Sequence, residues 1–378
     1  MLDILKGKKP VAVITSDWHM ALGAWKKLPD VKGDAEFSLS QIVDIAIELK
    51  VPLIAAGDLF DTKNPDSYSV NAVATHMARM RQAGLPVYYV QGQHEMATPT
   101  WFSLFEGCHN VHDKHFEIGG VTFYGYDYFL PKSVEDSYSR FKPADVLITH
   151  QVWSELLPFN GQEFCCSYNL VHEHVKYKAI VSGDYHSHFK APVGSSVFVS
   201  PGSICLQDLK ESCNKAAWVL TDDLGFTSVP YNTRRLIQCK VESDSDLHTL
   251  VKMADSIKSD DYPNGIGKPI IRVKYASTID NVSVAVSSAF KGKAYYDLSP
   301  IIEGSSESED QSRNEPEEKI LDKVNIDECF QESLSDFCDP SDRSYGDLLR
   351  LWGARSTEDM RREIEDIANS IKTGGHEH

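Results

Sequence analysis

Along the first 230 residues, short apolar runs rich in β-branched side chains alternate with longer segments in which apolar positions recur every three or four residues. The runs VAVIT (11–15), VPLIAA (51–56), VYYV (87–90), VLIT (146–149) and AIVS (179–182) are brief and carry no polar alternation, so they predict strands buried on both faces. SLSQIVDIAIELK (38–50) and DSYSVNAVATHMARMRQAG (66–84) have helical periodicity. Ser38 or Ser40, and Asp66 or Ser67, are their candidate caps, and Gly84 followed by Pro86 ends the second helix. This alternation predicts an α/β domain. VTFYGY, SVFVS and AAWVL add strands for a second sheet packed on the first.

Beyond residue 230 the pattern changes. RRLIQCKV, the helical DLHTLVKMADSIK, PIIRVKYA and a further helical segment predict a small α+β domain over 231–302. Residues 303–324 are acidic, Ser-rich and poor in apolar side chains, which predicts a disordered linker. From 325 to 378 helical periodicity returns, and Leu348, Leu349, Leu351 and Trp352 give the tail an apolar face. Such a tail either docks on a partner or folds back on the main body.

The chain of 378 residues carries a net charge of −17, an unfavourable balance for binding nucleic acid. The charge is localised: residues 303–342 hold 14 acidic and 3 basic side chains, leaving only −6 for the rest. Binding depends on local patches, so the total excludes little. The longest apolar runs fall short of a membrane span, and the N-terminal MLDILKGKKPVAVIT lacks the pattern of a signal peptide, so a cytoplasmic protein is expected. The eight cysteines form no C-x-x-C pair, which argues against a thiolate zinc site and for reduced thiols.

Each of the five predicted strands runs directly into potential metal ligands. After VAVIT come Asp17 and His19; after VPLIAA, Asp58 and Asp61; after VYYV, Gln93, His94 and Glu95; VLIT ends at His150; and AIVS precedes Asp184 and His186. The functional crevice of an α/β sheet lies at the carboxyl ends of its strands, so the five loops would deliver these groups to one place. Carboxylate and imidazole without thiolate suit Mn²⁺, Fe or Zn²⁺ better than Ca²⁺. So many donors are too many for one ion. Two ions sharing a bridging carboxylate form the usual clamp for displacement at a phosphate ester, activating water between them and neutralising charge on the phosphate.

The set D-x-H, GDLFD, G-Q-H-E, a lone His after a strand, and G-D-x-H resembles the calcineurin-like metallophosphoesterases, and in order and spacing the SbcD-type nuclease subunit, above all its phage versions. The likeness extends over roughly residues 8–300 and includes SPGSICLQDLKE after the last motif. It implies a four-layer α/β/β/α sandwich over 1–230, a capping, DNA-binding domain over 231–302, and a helical tail that docks on an SbcC-like ATPase, with two nuclease subunits in a heterotetramer. It also implies roles at matching positions. Asp17, His19 and His186 would hold one ion, Asp58 would bridge, and Gln93, His150 and Asp184 would hold the other. His94 would act on the phosphate or the leaving 3′ oxygen, while Asp61 and Glu95 would orient histidines. The chain departs from the family where Gln93 replaces the usual Asn and Asp184 the usual His. Both changes fall on the second ion and favour Mn²⁺, with Mg²⁺ as the alternative, in a weaker second site.

The resulting expectation is a Mn²⁺-dependent DNA exonuclease, with endonuclease activity as a further mode, recognising DNA independently of sequence. Its rivals are a phosphatase or cyclic-nucleotide phosphodiesterase, and a non-catalytic scaffold for the ATPase. His188, His109, His112, His115, His172 and His174 are expected outside the ligand set, and Trp18 in the core. Lys6, Lys8, Lys9, Lys26, Lys27, Lys32, Arg234 and Arg235 form basic clusters that are either plain solvated faces or candidate DNA-backbone contacts.

Overall fold

The structure is a computed structural model that describes residues 5, 7–23, 28–156, 165–257 and 266–301. The expected linker and tail lie outside these residues, as do Lys6, Lys26, Lys27, Cys329, Cys338, His376 and His378. The described residues belong to one unit; a second unit, Leu157–Asn160 with Glu307–His378, lies outside them.

The first half begins β1 (Pro10–Thr15), α1 (Asp34–Leu49), β2 (Leu53–Ala56), α2 (Ser67–Gln82), β3 (Val87–Val90) and β4 (Cys108–Asn110). There follow β5 (Lys114–Ile118), β6 (Val121–Tyr126), α3 (Asp136–Ser139), β7 (Val146–His150), α4 (Tyr168–His174), β8 (Ala179–Gly183), β9 (Phe189–Val193), β10 (Ser196–Ser200), β11 (Ala216–Thr221) and β12 (Phe226–Pro230). Two six-stranded sheets result, in the orders β12-β11-β1-β2-β3-β4 and β5-β6-β7-β8-β10-β9. The five strands expected to carry ligands are therefore divided, with β1, β2 and β3 adjacent and parallel in one sheet and β7 and β8 parallel in the other.

Burial on both faces explains the unbroken apolar runs. Ile14, Ile54, Val90, Ile148 and Val181 fill the space between the sheets. Val13, Leu53 and Tyr89 point the other way, against Leu39, Ile42 and Val43 of α1 and Val73 and Met77 of α2. On the far face of the second sheet, Leu147, Ile180 and Phe198 pack with Trp153 and Val171. The layering is thus α/β/β/α, and Trp18 is fully buried in it, edge-on to Phe102 at 5.7 Å. Asp66 caps α2 as expected, accepting from the Ser69 amide at 2.8 Å. The capping of α1 differs from expectation. Its helix starts four residues earlier, behind a left-handed Gly33 with φ 79°, and Ser38 lies buried inside it. The apolar periodicity misplaced that start because the first turn, Asp34–Phe37, carries acidic residues suited to a helix N-terminus.

After β12 come β13 (Leu236–Val241), α5 (Asp244–Ser256), β14 (Ile270–Ala276), α6 (Val282–Phe290) and β15 (Tyr295–Ile301). The three strands form a parallel sheet whose one face packs with both helices around Val241, Leu250, Ile271, Val273, Val286 and Phe290. Two polar contacts help attach this sheet to the rest, beside an apolar cluster of Val31, Leu206 and Ile270. Arg234 is buried, its Nε donating to Asp34 Oδ2 at 2.8 Å and its Nη1 to the Ile266 carbonyl at 2.6 Å. Its expected place on a DNA-facing surface is therefore wrong: a guanidinium enclosed by a carboxylate and carbonyls is a structural joint. The second attachment is at Leu209, whose carbonyl accepts from Arg272 Nη1 at 3.1 Å and Gln238 Nε2 at 3.5 Å.

Candidate metal centre

The ligand-type side chains gather where the carboxyl ends of the two sheets meet. His150, the last residue of β7, is paired in register with Gly183 of β8. The loops leaving β1 and β2 are stitched together, Asp17 donating its amide to the Gly57 carbonyl at 2.9 Å and His19 to that of Asp58 at 3.0 Å. These turns are sharp. Asp17, His19, Asp58 and Asp184 all have positive φ, at 48°, 40°, 50° and 84°. Non-glycine residues adopt that region at a cost, and such strain concentrates at functional sites. Two glycines make the close approach feasible. A Cβ on Gly57 would sit 2.5 Å from the His150 ring, and one on Gly92 would sit 2.0 Å from Asp58 Oδ1.

Two groups share Asp58. In the first, His19 Nε2 lies 3.2 Å from His186 Nε2, and Asp17 Oδ1 lies 4.0 Å from the former and 3.8 Å from the latter. In the second, His150 Nε2 lies 3.8 Å from Asp184 Oδ1, to which Gln93 Nε2 donates at 2.6 Å. Asp58 Oδ2 sits between them, 3.8 Å from His19 Nε2 and 3.2 Å from His150 Nε2. All seven expected ligand residues are thus brought together.

Three of the four imidazoles are hydrogen-bonded through Nδ1, and the fourth has a carboxylate beside it. His150 donates to the Ala56 carbonyl at 2.7 Å, His94 to the Asp61 carbonyl at 2.9 Å and His186 to Glu211 Oε1 at 2.8 Å, while His19 Nδ1 lies 3.3 Å from Asp61 Oδ1. An acceptor at Nδ1 fixes the proton there and leaves the Nε2 lone pair aimed at the centre. Asp17 Oδ2, Gln93 Oε1 and His150 Nε2 are buried without a hydrogen-bond partner. Orphaned buried acceptors are costly. Three of them converging with the remaining donors fit divalent cations, and the side chains Asp17, His19 and His186, and Asp17, Asp58 and His150, approach closely enough to hold one.

The electrostatics agree. Burial pushes the Asp58 carboxyl up, but His150 and His19 hold it well below the usual carboxylate range. Burial pushes His150 down, yet Asp58, Asp17 and Asp184 raise it well above an ordinary histidine. Burial raises Asp184, where neighbouring carboxylates add to the effect. Such mutual shifts mark a cluster of negative charge that a cation would relieve.

His94 stands at the rim, its side chain 43% exposed and its Nε2 3.9 Å from Asp58 Oδ2. Asp61 touches both His19 and His94. Glu95 differs: its Oε1 accepts from the Gly92 amide at 2.9 Å and so braces the loop that carries Gln93 and His94, whereas no histidine bonds to it among the described residues. His188 is absent from the centre, its nitrogens bonded to the Pro201 carbonyl and Ser228 Oγ and its ring stacked on Trp218 at 4.1 Å. His109, His112 and His115 disperse: His112 Nδ1 accepts from the Asp127 amide and His115 donates to the Pro143 carbonyl. His172 bonds Ser196 and His174 stacks on Tyr138. Sequence reasoning missed Glu211, which no ligand motif contains; it ends the SPGSICLQDLKE stretch.

This arrangement defines a class. Residues 11–188 match the family model for calcineurin-like phosphoesterases, and this part of the chain is a calcineurin-like metallophosphoesterase domain, a fold that implies divalent metal ions. Curated relatives are more particular. The chain is similar to the DNA double-strand break repair protein Mre11 of Methanosarcina acetivorans, 29% identical over 196 residues that cover 48% of this chain and 31% of that protein. Its likeness to the Haloferax volcanii Mre11 is 27% over 183 residues, 46% of this chain and 40% of the other. With the Methanococcus maripaludis Mre11 it is 20% identical over 342 residues, 81% of this chain and 86% of that one. The matched stretch thus spans about a third of the length of the first of these relatives.

Proposed function

We propose that the chain is a metal-dependent deoxyribonuclease that hydrolyses the DNA backbone without reading its sequence, chiefly from an end. The observation that carries this is the convergence of the donor set, with Nε2 of His19, His150 and His186 directed at a space bounded by Asp17, Asp58, Gln93 and Asp184. Asp17, His19 and His186 would hold one cation, Gln93, His150 and Asp184 the other, and Asp58 both. The pair, when bound, supplies an activated water and neutralises charge on the phosphate. Two Mn²⁺ ions suit this set, because the second group offers one nitrogen among carboxylate and amide oxygens.

The remaining work falls to side chains at the rim. Asp61 fixes the His94 proton at Nδ1, leaving Nε2 open on the exposed side. A second proton taken up there would be given to the leaving 3′ oxygen. Glu95 holds the loop that presents His94.

DNA as substrate is supported by the relatives, which are named for repair of double-strand breaks. The second sheet-and-helix unit after residue 230 would serve as a cap over bound DNA. By its resemblance to SbcD-type subunits the chain would work as a dimer with an SbcC-like ATPase, through residues 325–378. The test compares Mn²⁺-dependent hydrolysis of linear duplex DNA with that of a small phosphate ester, with and without a co-expressed ATPase subunit. Preferential turnover of DNA is expected; turnover of the small ester alone would overturn the reading.

A further inference from the structure

Glu211 reaches the centre from outside the five ligand loops. Its Oε1 accepts from His186 Nδ1 at 2.8 Å. Its Oε2 accepts from Lys215 Nζ at 2.7 Å, Ser203 Oγ at 2.9 Å and the Gln207 amide at 3.3 Å. Lys215 is itself buried. A glutamate needed only to pair with this lysine would be satisfied on one oxygen; here the other oxygen is aimed at a ligand-type imidazole.

Comparing the histidines makes the point sharper. In the first group both imidazoles carry a carboxylate behind Nδ1, Asp61 for His19 and Glu211 for His186. In the second group His150 has only the neutral carbonyl of Ala56. A carboxylate at Nδ1 raises the basicity of Nε2 more than a carbonyl does, and strengthens its bond to a cation.

We propose that Glu211 is a positioning residue for the first ion: it fixes the tautomer and ring orientation of His186 and makes that site the tighter of the two. This rests on the metal-centre reading above. Lys215 holds the carboxylate in place, and the length of Glu211 sets the reach to His186.

The test uses the full chain, stripped with a chelator and titrated with Mn²⁺ by calorimetry and electron paramagnetic resonance. Two classes of Mn²⁺ site are expected in the wild type. In Glu211→Gln the tighter class should weaken by roughly 10- to 100-fold, while the weaker class keeps its affinity. In ¹⁵N-histidine spectra of the metal-free protein, the hydrogen-bonded His186 Nδ1 proton should move upfield in the variant, because a neutral amide is the weaker acceptor. Should E211Q fail to fold because Lys215 is left without a counter-charge, Glu211→Gln/Lys215→Met removes both charges and should show the same loss. An unchanged tight class in whichever variant folds overturns the role of Glu211. A wild-type chain that binds no Mn²⁺ overturns the metal centre itself.

Discussion

The side-chain amide of Gln93 donates to the carboxylate of Asp184 across 2.6 Å. These are the two positions at which the chain departs from the usual asparagine and histidine of the family it resembles, and they are bonded to each other. The longer arm of Gln93 reaches a partner shorter than histidine, and its own Oε1 stays buried and free to coordinate. Gln93→Asn should withdraw that donor and lower affinity for the second ion by about tenfold, the size of effect seen when a supporting contact to a ligand is lost. Gln93→Asn combined with Asp184→His should recover two-ion binding and shift preference from Mn²⁺ toward Zn²⁺. Calorimetry with both metals measures this; equal losses in the single and double variants would refute the pairing.

The His94 ring donates to the Asp61 carbonyl and stands at the rim, so its removal should spare the ions. His94→Ala is expected to lower turnover roughly 10²- to 10⁴-fold, the usual contribution of a proton donor, with Mn²⁺ stoichiometry unchanged. Metal analysis beside a nuclease assay decides it, and a concurrent loss of metal would assign His94 to the ligand set.

The stripped protein should lose stability as pH rises. His150 and His186 both have raised pKa values against the opposing effect of burial, through Asp58 and its neighbours for the first and Glu211 for the second. A raised group stabilises the fold fully below its unfolded value, 6.5 here, and that contribution is lost as pH rises through the folded value. Asp184 and Glu95, raised chiefly by burial, act with the same sign. Asp58 is shifted downward, so its contribution fades only in acid, outside this window. Melting temperature without metal should therefore fall as pH rises above about 6.5, and saturating Mn²⁺ should flatten the slope by replacing the protons. A stability that rises over that range would contradict the arrangement.

Arg234 and Asp34 form a buried pair between the first α-helix and the three-stranded sheet. Arg234→Met alone leaves a buried carboxylate uncompensated and should cost about 3–5 kcal/mol in denaturant unfolding. Adding Asp34→Leu should recover most of it. A single substitution that costs under about 1 kcal/mol would show that the pair is solvated after all.

Much of this was legible because strand and loop carry separate signals. Runs such as VAVIT and AIVS marked buried strands, and the groups after them marked the site. What could not be read was which sheet each strand joins: runs buried on both faces look alike in either one, and only the register of His150 with Gly183 shows β7 and β8 apart from β1–β3. Arg234 looked like a surface cation because its partner Asp34 is 200 positions away. Glu211 escaped for the same reason, since a contact made through a folded turn to His186 leaves no local spacing.

The carbonyl of Leu209 is gripped by Arg272 and Gln238 of the three-stranded sheet, and Glu211 lies two residues further along the same backbone. A tilt of that sheet on meeting a bulky polymer would tug the strap that steadies His186. The brace on His186 and the anchorage of the three-stranded sheet thus share one short stretch of backbone, Leu209–Glu211.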